Sequence, residues 1–241
     1  MSNLEEAVAA ILEQKPRTVV VMTGAGVSAE SGIPTFRGPQ GLWRNFRAES
    51  LATPEAFTRD PYLVWEWYEW RRGLVRAARP NAAHEALARL DDAVVVTQNV
   101  DGLHARAGSR NVIELHGSLF RVRCVREENV LDATEPFEQI PPHCQCGALL
   151  RPDVVWFGEL LPPGLFERAA SLVAKSDLLL VIGTSGVVYP AAGLVALHAG
   201  LSIEINPQSS GVTSACTFAI AEPATMATPL IVDAIQEARH A

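Results

Sequence analysis

The residues of this 241-residue chain that could do chemistry fall in a few short stretches. Gly24 and Gly26, with Gly32 beyond them, follow the apolar run TVVVM at 18–22. Small residues in a turn after a strand let backbone N–H groups approach a pyrophosphate, and a following helix start adds a favourable field. Ala29 stands where the third glycine of G-x-G-x-x-G would be, and a plain tight turn is the competing reading. Gly183, Thr184 and Ser185 come just past a second apolar run, LLLVI at 178–182, and offer N–H and hydroxyl groups to phosphate or ribose. Asn99 and Asp101 come just past a third run, AVVVT at 93–97. That is the carboxyl end, where open α/β sheets bind ligands, although an Asn-Val-Asp-Gly turn needs no ligand to explain it.

Two further groups stand apart. Tyr68 and Arg71 are three apart in PYLVWEWYEWRRGLV at 61–75, which reads as a helix, so they share a face. A guanidinium and a phenol converging on one pocket make a carboxylate-recognition pair, and a solvated helix face with an aromatic packed at its edge is the alternative. Of four cysteines, Cys124, Cys144 and Cys146 crowd into one short window. Four are too few for a disulfide scaffold, so the cluster points to a metal or to the remnant of one. Cys216 reads as a small buried apolar residue. The chain has no G-x-S-x-G elbow that would present a nucleophilic serine.

The elements that must position these groups follow from periodicity. Strands are predicted at 18–22, 93–97, 111–115, 177–183 and 201–206. Helices are predicted around Leu4, Val8, Ile11 and Leu12, and at 83–90, 164–175, 190–199 and 228–239, with Ser2 and Glu5 or Asn3 and Glu6 capping the first. Buried β-branched strands alternating with helices give an α/β chain with a parallel sheet covered on both faces. Residues 36–80, with four of the five tryptophans, and 121–151, with the clustered cysteines, interrupt that rhythm and are expected to form a smaller lobe. The larger lobe then comprises about 1–35, 81–120 and 152–241 of one catalytic domain. At 48% hydrophobic and 20% charged, the composition excludes a disordered chain. A net charge of −7 disfavours gripping nucleic acid through its phosphates. Apolar runs such as LLLVI are far too short to span a bilayer, and the acidic opening MSNLEEAVAAILEQ does not read as a secretory signal. A cytoplasmic protein without membrane or nucleic-acid partners is expected.

The stretches GAGVSAESGIPTFRGPQGLW (24–43), TQNVDGLH (97–104), ELHGS (114–118), PDVVWFGE (152–159), GTSGVVYPAA (183–192) and EIN (204–206), in this order, closely resemble the sirtuins, NAD-dependent protein lysine deacylases. The resemblance covers roughly residues 15 to 235. It implies a Rossmann-like doubly wound large lobe, with a small lobe made of a helical and a cysteine-bearing, zinc-ribbon-like insertion. NAD and an acyl-lysine peptide or protein would enter the cleft between the lobes from opposite sides. The substrate's acyl oxygen would attack the ribose carbon as nicotinamide leaves, so no protein nucleophile is required. His116, after the strand NVIEL and before Gly117, would be the general base that activates a ribose hydroxyl; imidazole titrates near neutrality and suits that task, while a core histidine is the bland alternative. His84, His104, His143, His198 and His240 receive no catalytic assignment.

The resemblance also implies that Asp101 accepts from the nicotinamide carboxamide and that Asn99, the second catalytic candidate, positions a ribose or a water. Gln98 would contact ribose and Asn206 the adenosine ribose. Ala25, Ser28, Trp43, Val100 and Ala224 would complete the NAD site with Gly24, Gly26, Gly183, Thr184 and Ser185, and Phe36 and Arg37 would belong to a loop folding over NAD. Thr35 departs from the aspartate of many members, as in deacylases that prefer acidic acyl groups. Val155, Trp156, Phe157, Gly158 and Glu159 belong to the family's peptide-binding strand, which pairs with substrate backbone by β-augmentation. Tyr68 and Arg71 match the Tyr-x-x-Arg of members that remove succinyl, malonyl or glutaryl groups, and Ala52 matches the small residue that leaves room for them. Acetyl is a secondary substrate on this reading. The products would be nicotinamide, 2′-O-acyl-ADP-ribose and free lysine.

Structural zinc in the family takes two cysteine pairs, whereas position 127 here is Glu127. Glu127, Glu128 and His143 are candidates for a fourth ligand beside Cys124, Cys144 and Cys146. A decayed site held by packing is the other reading. Plain deacetylation, ADP-ribosyl transfer to protein and a non-catalytic NAD sensor are the rival functions. Family members are often monomers, and a monomer is expected.

Overall fold

Runs of valine, leucine and isoleucine build the centre of the molecule. The computed structural model describes residues 2–35, 42–44 and 46–240. The chain begins with α1 (Asn3–Gln14), β1 (Val19–Thr23) and a 3-10 helix at Ala25–Ser31. The short strands β2 (Leu42–Trp43) and β3 (Phe46–Arg47) lead into α2 (Ala48–Leu51), α3 (Pro54–Arg59), α4 (Pro61–Ala77) and α5 (Ala82–Ala88). β4 (Val94–Thr97), α6 (Leu103–Ala107) and β5 (Asn111–Glu114) follow, then β6 (Gly117–Cys124), β7 (Val130–Asp132) and β8 (Leu150–Val154). The last part holds α7 (Leu165–Lys175), β9 (Leu178–Ile182), a 3-10 segment at Ala191–Leu197, β10 (Leu201–Ile205), β11 (Phe218–Ile220) and α8 (Ala224–His240).

Six strands form one sheet in the order β11-β10-β9-β1-β4-β5, parallel throughout. Chain order reverses across β1, which makes the sheet doubly wound and puts a ligand crevice at the carboxyl ends of its central strands. Both faces are buried. Val19, Val21, Val95, Leu178 and Leu180 pack on one side, and Val20, Met22, Val96, Leu179 and Val181 on the other. That is why these strands read as continuous apolar runs rather than alternating ones. A separate apolar cluster joins α2, α3 and α4 to the antiparallel sheet β7-β6-β8, with Trp65, Trp67, Tyr68, Leu119, Cys124 and Trp156 at its centre.

Several expectations change in detail. The glycine turn enters a 3-10 helix, not an α-helix, and residues 191–197 are likewise 3-10. Ser2 and Glu5, rather than Asn3 and Glu6, make the capping box of α1. The last helix starts at Ala224 and accommodates Pro229 in its second turn. Most consequentially, the strand expected to continue through 154–159 stops at Val154. The Glu159 carboxylate accepts from the Trp156 N–H at 2.8 Å, and Gly158 takes a φ of +88°, so the chain turns instead of extending. Among the described residues no helix is long and apolar enough to cross a membrane.

Candidate functional site

The loops leaving β1, β4 and β9 meet at one end of the sheet because their backbones interlock. Gly24 N–H donates to the Ile182 carbonyl at 3.1 Å and Gly26 N–H to Gly183 at 2.8 Å. Gly183 has a φ of +61°, and a Cβ there would lie 2.3 Å from Val27 N, so only glycine fits this crossing. Beside it lies a cavity of about 210 Å³ lined by Gly26, Gly183, Ile205, Pro207, Pro223 and Ala224. Glycine walls with a floor of Ile205 and prolines suit a flat aromatic ring, so these residues fit the nucleotide the sequence implies. Ala25 lies at the start of the 3-10 helix, directly between Gly24 and Gly26. Asn206 donates to the Thr184 carbonyl at 2.8 Å, and Gln98 Nε2 to the Thr184 hydroxyl at 3.1 Å. Thr184, Asn206 and Gln98 are thus joined, and Gly211 N–H holds the Ser185 carbonyl at 3.0 Å. Phe36 and Arg37 lie outside the described residues.

Beneath these loops runs a buried polar network. Ser28 donates to Asp101 Oδ2 at 2.7 Å, and Asp101 Oδ1 accepts from Leu103 N–H at 2.9 Å across the turn that leads into α6. Asn99 Nδ2 reaches the Gly24 carbonyl and Ser28 Oγ at 3.1 and 3.2 Å. Val100 is buried, its carbonyl accepting from Leu119 N–H at 2.9 Å. Asn99 and Asp101 thus shape the turn after β4 and tie it to Ser28 and the Gly24 loop.

The sequence reading left His84 and His104 out of this network. His84 Nε2 lies 3.4 Å from Ser28 Oγ, and His104 Nε2 lies 3.0 Å from the Thr23 hydroxyl. Their rings are 4.8 Å apart. Burial pushes His104 down to about 3, with His84 adding to it, and burial also lowers His84 against the pull of Asp101. The signal available in the sequence was the pair of threonines, Thr23 and Thr97, that end neighbouring strands in matching register.

His116 is set at the end of β5. Leu115 N–H still bonds to the Thr97 carbonyl, and Val155 N–H donates to the His116 carbonyl at 3.0 Å. The next residue must be glycine, because Gly117 has a φ of +79° and its Cβ would fall 2.1 Å from the Asp153 carbonyl oxygen. His116 Nδ1 lies 3.0 Å from the Gln98 carbonyl. A carbonyl only accepts, so Nδ1 carries the proton and Nε2 keeps its lone pair. Burial lowers the imidazole below its ordinary value, with the Gln98 bond working the other way. The ring is thereby neutral at neutral pH and able to take a proton.

On α4, Tyr68 and Arg71 share a face as expected. The Tyr68 hydroxyl accepts from Trp156 Nε1 at 2.8 Å, and burial pushes the phenol up to about 12. The Arg71 guanidinium carbon lies 5.0 Å from the Trp67 ring centre and 5.9 Å from that of Tyr68. Burial lowers its pKa, while Tyr68 and Asp101 favour its charge. Ala52 ends α2, and its carbonyl accepts from Phe157 N–H at 2.9 Å, which brings the turn of residues 155–159 against α2 and α4. Trp43 packs against Trp70, ring centres 6.3 Å apart.

The buried arginine of this region is Arg72, which the spacing argument passed over. Its guanidinium is paired with Glu69 at 2.6 Å and donates to the carbonyls of Leu119, Ala133 and Glu135. It fastens α4 to β6 and to the segment that carries the cysteines.

Cys124, Cys144, Cys146 and Glu127 place their ligand atoms within 4.8 Å of one another. Cys124 and Cys146 sulfurs are 3.5 Å apart, and Glu127 Oε2 is 3.8 Å from Cys144 Sγ. Tetrahedral thiolates at zinc–sulfur lengths sit roughly 3.8 Å apart, so the donor set fits that ion. Backbone N–H groups of Glu127 and Arg126 point at Cys124 Sγ and lower its pKa, helped by Cys146. Of the three candidates for a fourth ligand, Glu127 is the one that joins the thiols. The cluster is consistent with a structural zinc, and Cys216 lies apart from it, pushed up to about 12 by burial.

A family model described as Sir2 family matches residues 24–190. An NAD-dependent protein deacylase 2 of Pyrobaculum aerophilum is 53% identical over 228 residues, covering 91% of this chain and 92% of that protein. An NAD-dependent protein deacylase of Thermococcus kodakarensis is 54% identical over 220 residues, covering 85% and 86%. A solved Sir2 homologue–NAD complex superposes with a TM-score of 0.90 at 47% identity, covering 98% of this chain and 94% of that one. A Sir2–p53 peptide–NAD+ structure does so with a TM-score of 0.83 at 31% identity, covering 100% of both. The chain belongs to the Sir2 family of NAD-dependent protein deacylases.

Proposed function

We propose that this enzyme removes negatively charged short acyl groups (succinyl, malonyl and glutaryl) from lysine, with acetyl as a secondary substrate. The observation that carries the reading is the placement of buried Tyr68 and half-buried Arg71 on one face of α4, with the Ala52 carbonyl and the Trp156 turn beside them. With Tyr68 buried and Arg71 half-buried, a carboxylate arriving there meets a phenol and a guanidinium worth more than they would be in solvent. An acetyl group has nothing to offer either.

NAD supplies the ribose carbon that receives the acyl oxygen. The chain's own residues bind, orient and move a proton. Asn99, Asp101 and Ser28 hold a rigid polar wall for nicotinamide, and Gly24, Gly26, Gly183, Thr184, Ser185 and Asn206 hold the phosphates and adenosine. His116 Nε2 takes a proton from a ribose hydroxyl while Nδ1–H stays on the Gln98 carbonyl, which fixes the ring's orientation. No step passes through the cluster of Cys124, Cys144, Cys146 and Glu127. The acyl-lysine peptide lies along the turn of residues 155–159, where Phe157 and Leu160 are exposed. The separate apolar clusters support a division into a larger and a smaller lobe, with Val100, Leu119, Val154 and Trp156, which the bounds 81–120 and 152–241 give to the larger one, packing with the smaller.

The test is kcat/KM for succinyl-, malonyl-, glutaryl- and acetyl-lysine peptides of one sequence, because that ratio reports discrimination directly. Arg71→Met is expected to lower the succinyl-to-acetyl ratio at least tenfold. Equal loss of both activities would sink the assignment of an acyl-carboxylate pocket.

A further inference from the structure

The Tyr68 hydroxyl has one proton and two lone pairs, and an indole N–H can only donate. Trp156 Nε1 and Tyr68 Oη are 2.8 Å apart between side chains that are 2% and 1% exposed. The direction of that bond is therefore fixed: Tyr68 accepts. Its own proton has to go elsewhere, and among the described residues no side chain or carbonyl takes it. Burial keeps the phenol protonated across any working pH, so it is a donor and not an anion.

Trp156 is itself held from three sides. The Arg151 guanidinium carbon sits 3.5 Å over its ring centre, and Arg151 grips Glu159 through two nitrogens at 2.6 and 2.8 Å. Glu159 in turn accepts from the Trp156 backbone N–H at 2.8 Å. Phe57 packs against the indole with ring centres 5.3 Å apart. The pair of Arg151 and Glu159 thus fixes the turn, the turn fixes the indole, and the indole fixes the phenol.

We propose that Trp156 is a positioning residue for acyl selectivity: by donating to Tyr68 Oη it leaves the Tyr68 O–H as a donor for the carboxylate of the acyl group, beside Arg71. This rests on the anionic-acyl reading above. It adds that the selectivity is set from outside the Tyr-x-x-Arg pair, by a residue of the peptide-side turn. A tryptophan there with no such role would serve only as packing, and a phenylalanine would then replace it without altering which acyl group is preferred.

The experiment measures kcat and KM for succinyl- and acetyl-lysine peptides of one sequence at saturating NAD. The enzymes are wild type, Trp156→Phe, Tyr68→Phe, the double variant and Arg71→Met, with folding checked by thermal melts. Trp156→Phe is expected to lower the succinyl-to-acetyl ratio of kcat/KM by about tenfold, mainly through KM of the succinyl peptide. In the Tyr68→Phe background the same change is expected to lower the ratio no further, because both variants remove one interaction. If the ratio is unchanged in Trp156→Phe while Arg71→Met and Tyr68→Phe lower it, the role of Trp156 is overturned and the pocket reading stands. If Arg71→Met leaves the ratio unchanged, the pocket reading itself fails and this inference with it. Should Trp156→Phe not fold, 3-benzothienylalanine at position 156 keeps the bicycle and removes only the N–H, with the same expected and overturning results.

Discussion

The loops at the carboxyl ends of β1, β4 and β9 and the surface formed by α4 with the turn after β8 are each held in place, but with different materials. On the first side contact is made backbone to backbone: Gly24 and Gly26 on Ile182 and Gly183, with short side chains such as Ser28, Asn99 and Asp101 filling the gaps. On the second side long side chains span the gaps: Arg72 to three carbonyls, Arg151 to Glu159, Trp156 to Tyr68. Backbone cradles are rigid and indifferent to most substitutions outside their glycines. Side-chain bridges can be retuned one residue at a time. The difference teaches where an enzyme of this family can change its substrate without disturbing its shared chemistry.

The sharpest way to break that comparison is at His116, the general base proposed for the first side. His116→Ala is expected to lower kcat by about 10²- to 10⁴-fold, the range typical of a lost general base. NAD affinity is expected to change little, because the ring's protein contact is to the Gln98 carbonyl. The lowered imidazole pKa adds a sign: the base is active when neutral, so kcat/KM should rise with pH along a limb that lies below 6.5. A limb above 6.5, or turnover surviving the alanine variant, would remove His116 from the reaction.

The second side should fail differently. Arg72 is 1% exposed in its side chain and serves Glu69 and three carbonyls at once. Arg72→Met leaves the half-buried Glu69 carboxylate with Arg76 alone and the carbonyls of Leu119, Ala133 and Glu135 without their donor, a loss of about 3–5 kcal/mol. For a chain of this size that lowers Tm by roughly 6–20 °C. A Tm within about 2 °C of wild type would mean that the side-chain bridge does not hold α4 to β6.

How much of this was readable in advance follows the same division. The parallel sheet, Gly24, Gly26, Gly183 and the Asn99–Asp101 turn were legible because backbone cradles need particular residue types at short spacing. Tyr68 and Arg71 were legible because a helix makes position i+3 a neighbour. Arg72 was not, although it is adjacent: its partners at 119, 133 and 135 come from segments far away in sequence, and no local period announces them. The turn at 155–159 was misread as strand for another reason. The resemblance alone named this segment a strand, but here the Glu159 carboxylate captures the Trp156 N–H that a strand would have offered to its neighbour. Glu127 appeared among three possible ligands because sequence spacing cannot tell which of Glu127, Glu128 and His143 faces the thiols; the fold places the Glu127 carboxylate with them.

The last contrast is in acid. The nucleotide side contains the two buried histidines among the described residues, His84 and His104, and burial disfavours the charged form of both. His104 is held down to about 3, against an ordinary value of 6.5. Between those values the unfolded chain binds a proton that the folded chain refuses. Stability is therefore full above pH 6.5 and falls as pH drops toward 3, by up to about 1.4 kcal/mol per pH unit for each such histidine. His104→Gln keeps an amide within reach of the Thr23 hydroxyl and removes one titrating group. Urea unfolding at a series of pH values from 7.5 down to about 4.5 should show a shallower acid slope in this variant by roughly one proton's worth. An unchanged slope would place the acid sensitivity in the carboxylates of the molecule, among them Glu159, which Arg151 and the Trp156 N–H hold below its usual range against the effect of burial, and so on the side-chain-bridged surface rather than under the backbone cradle.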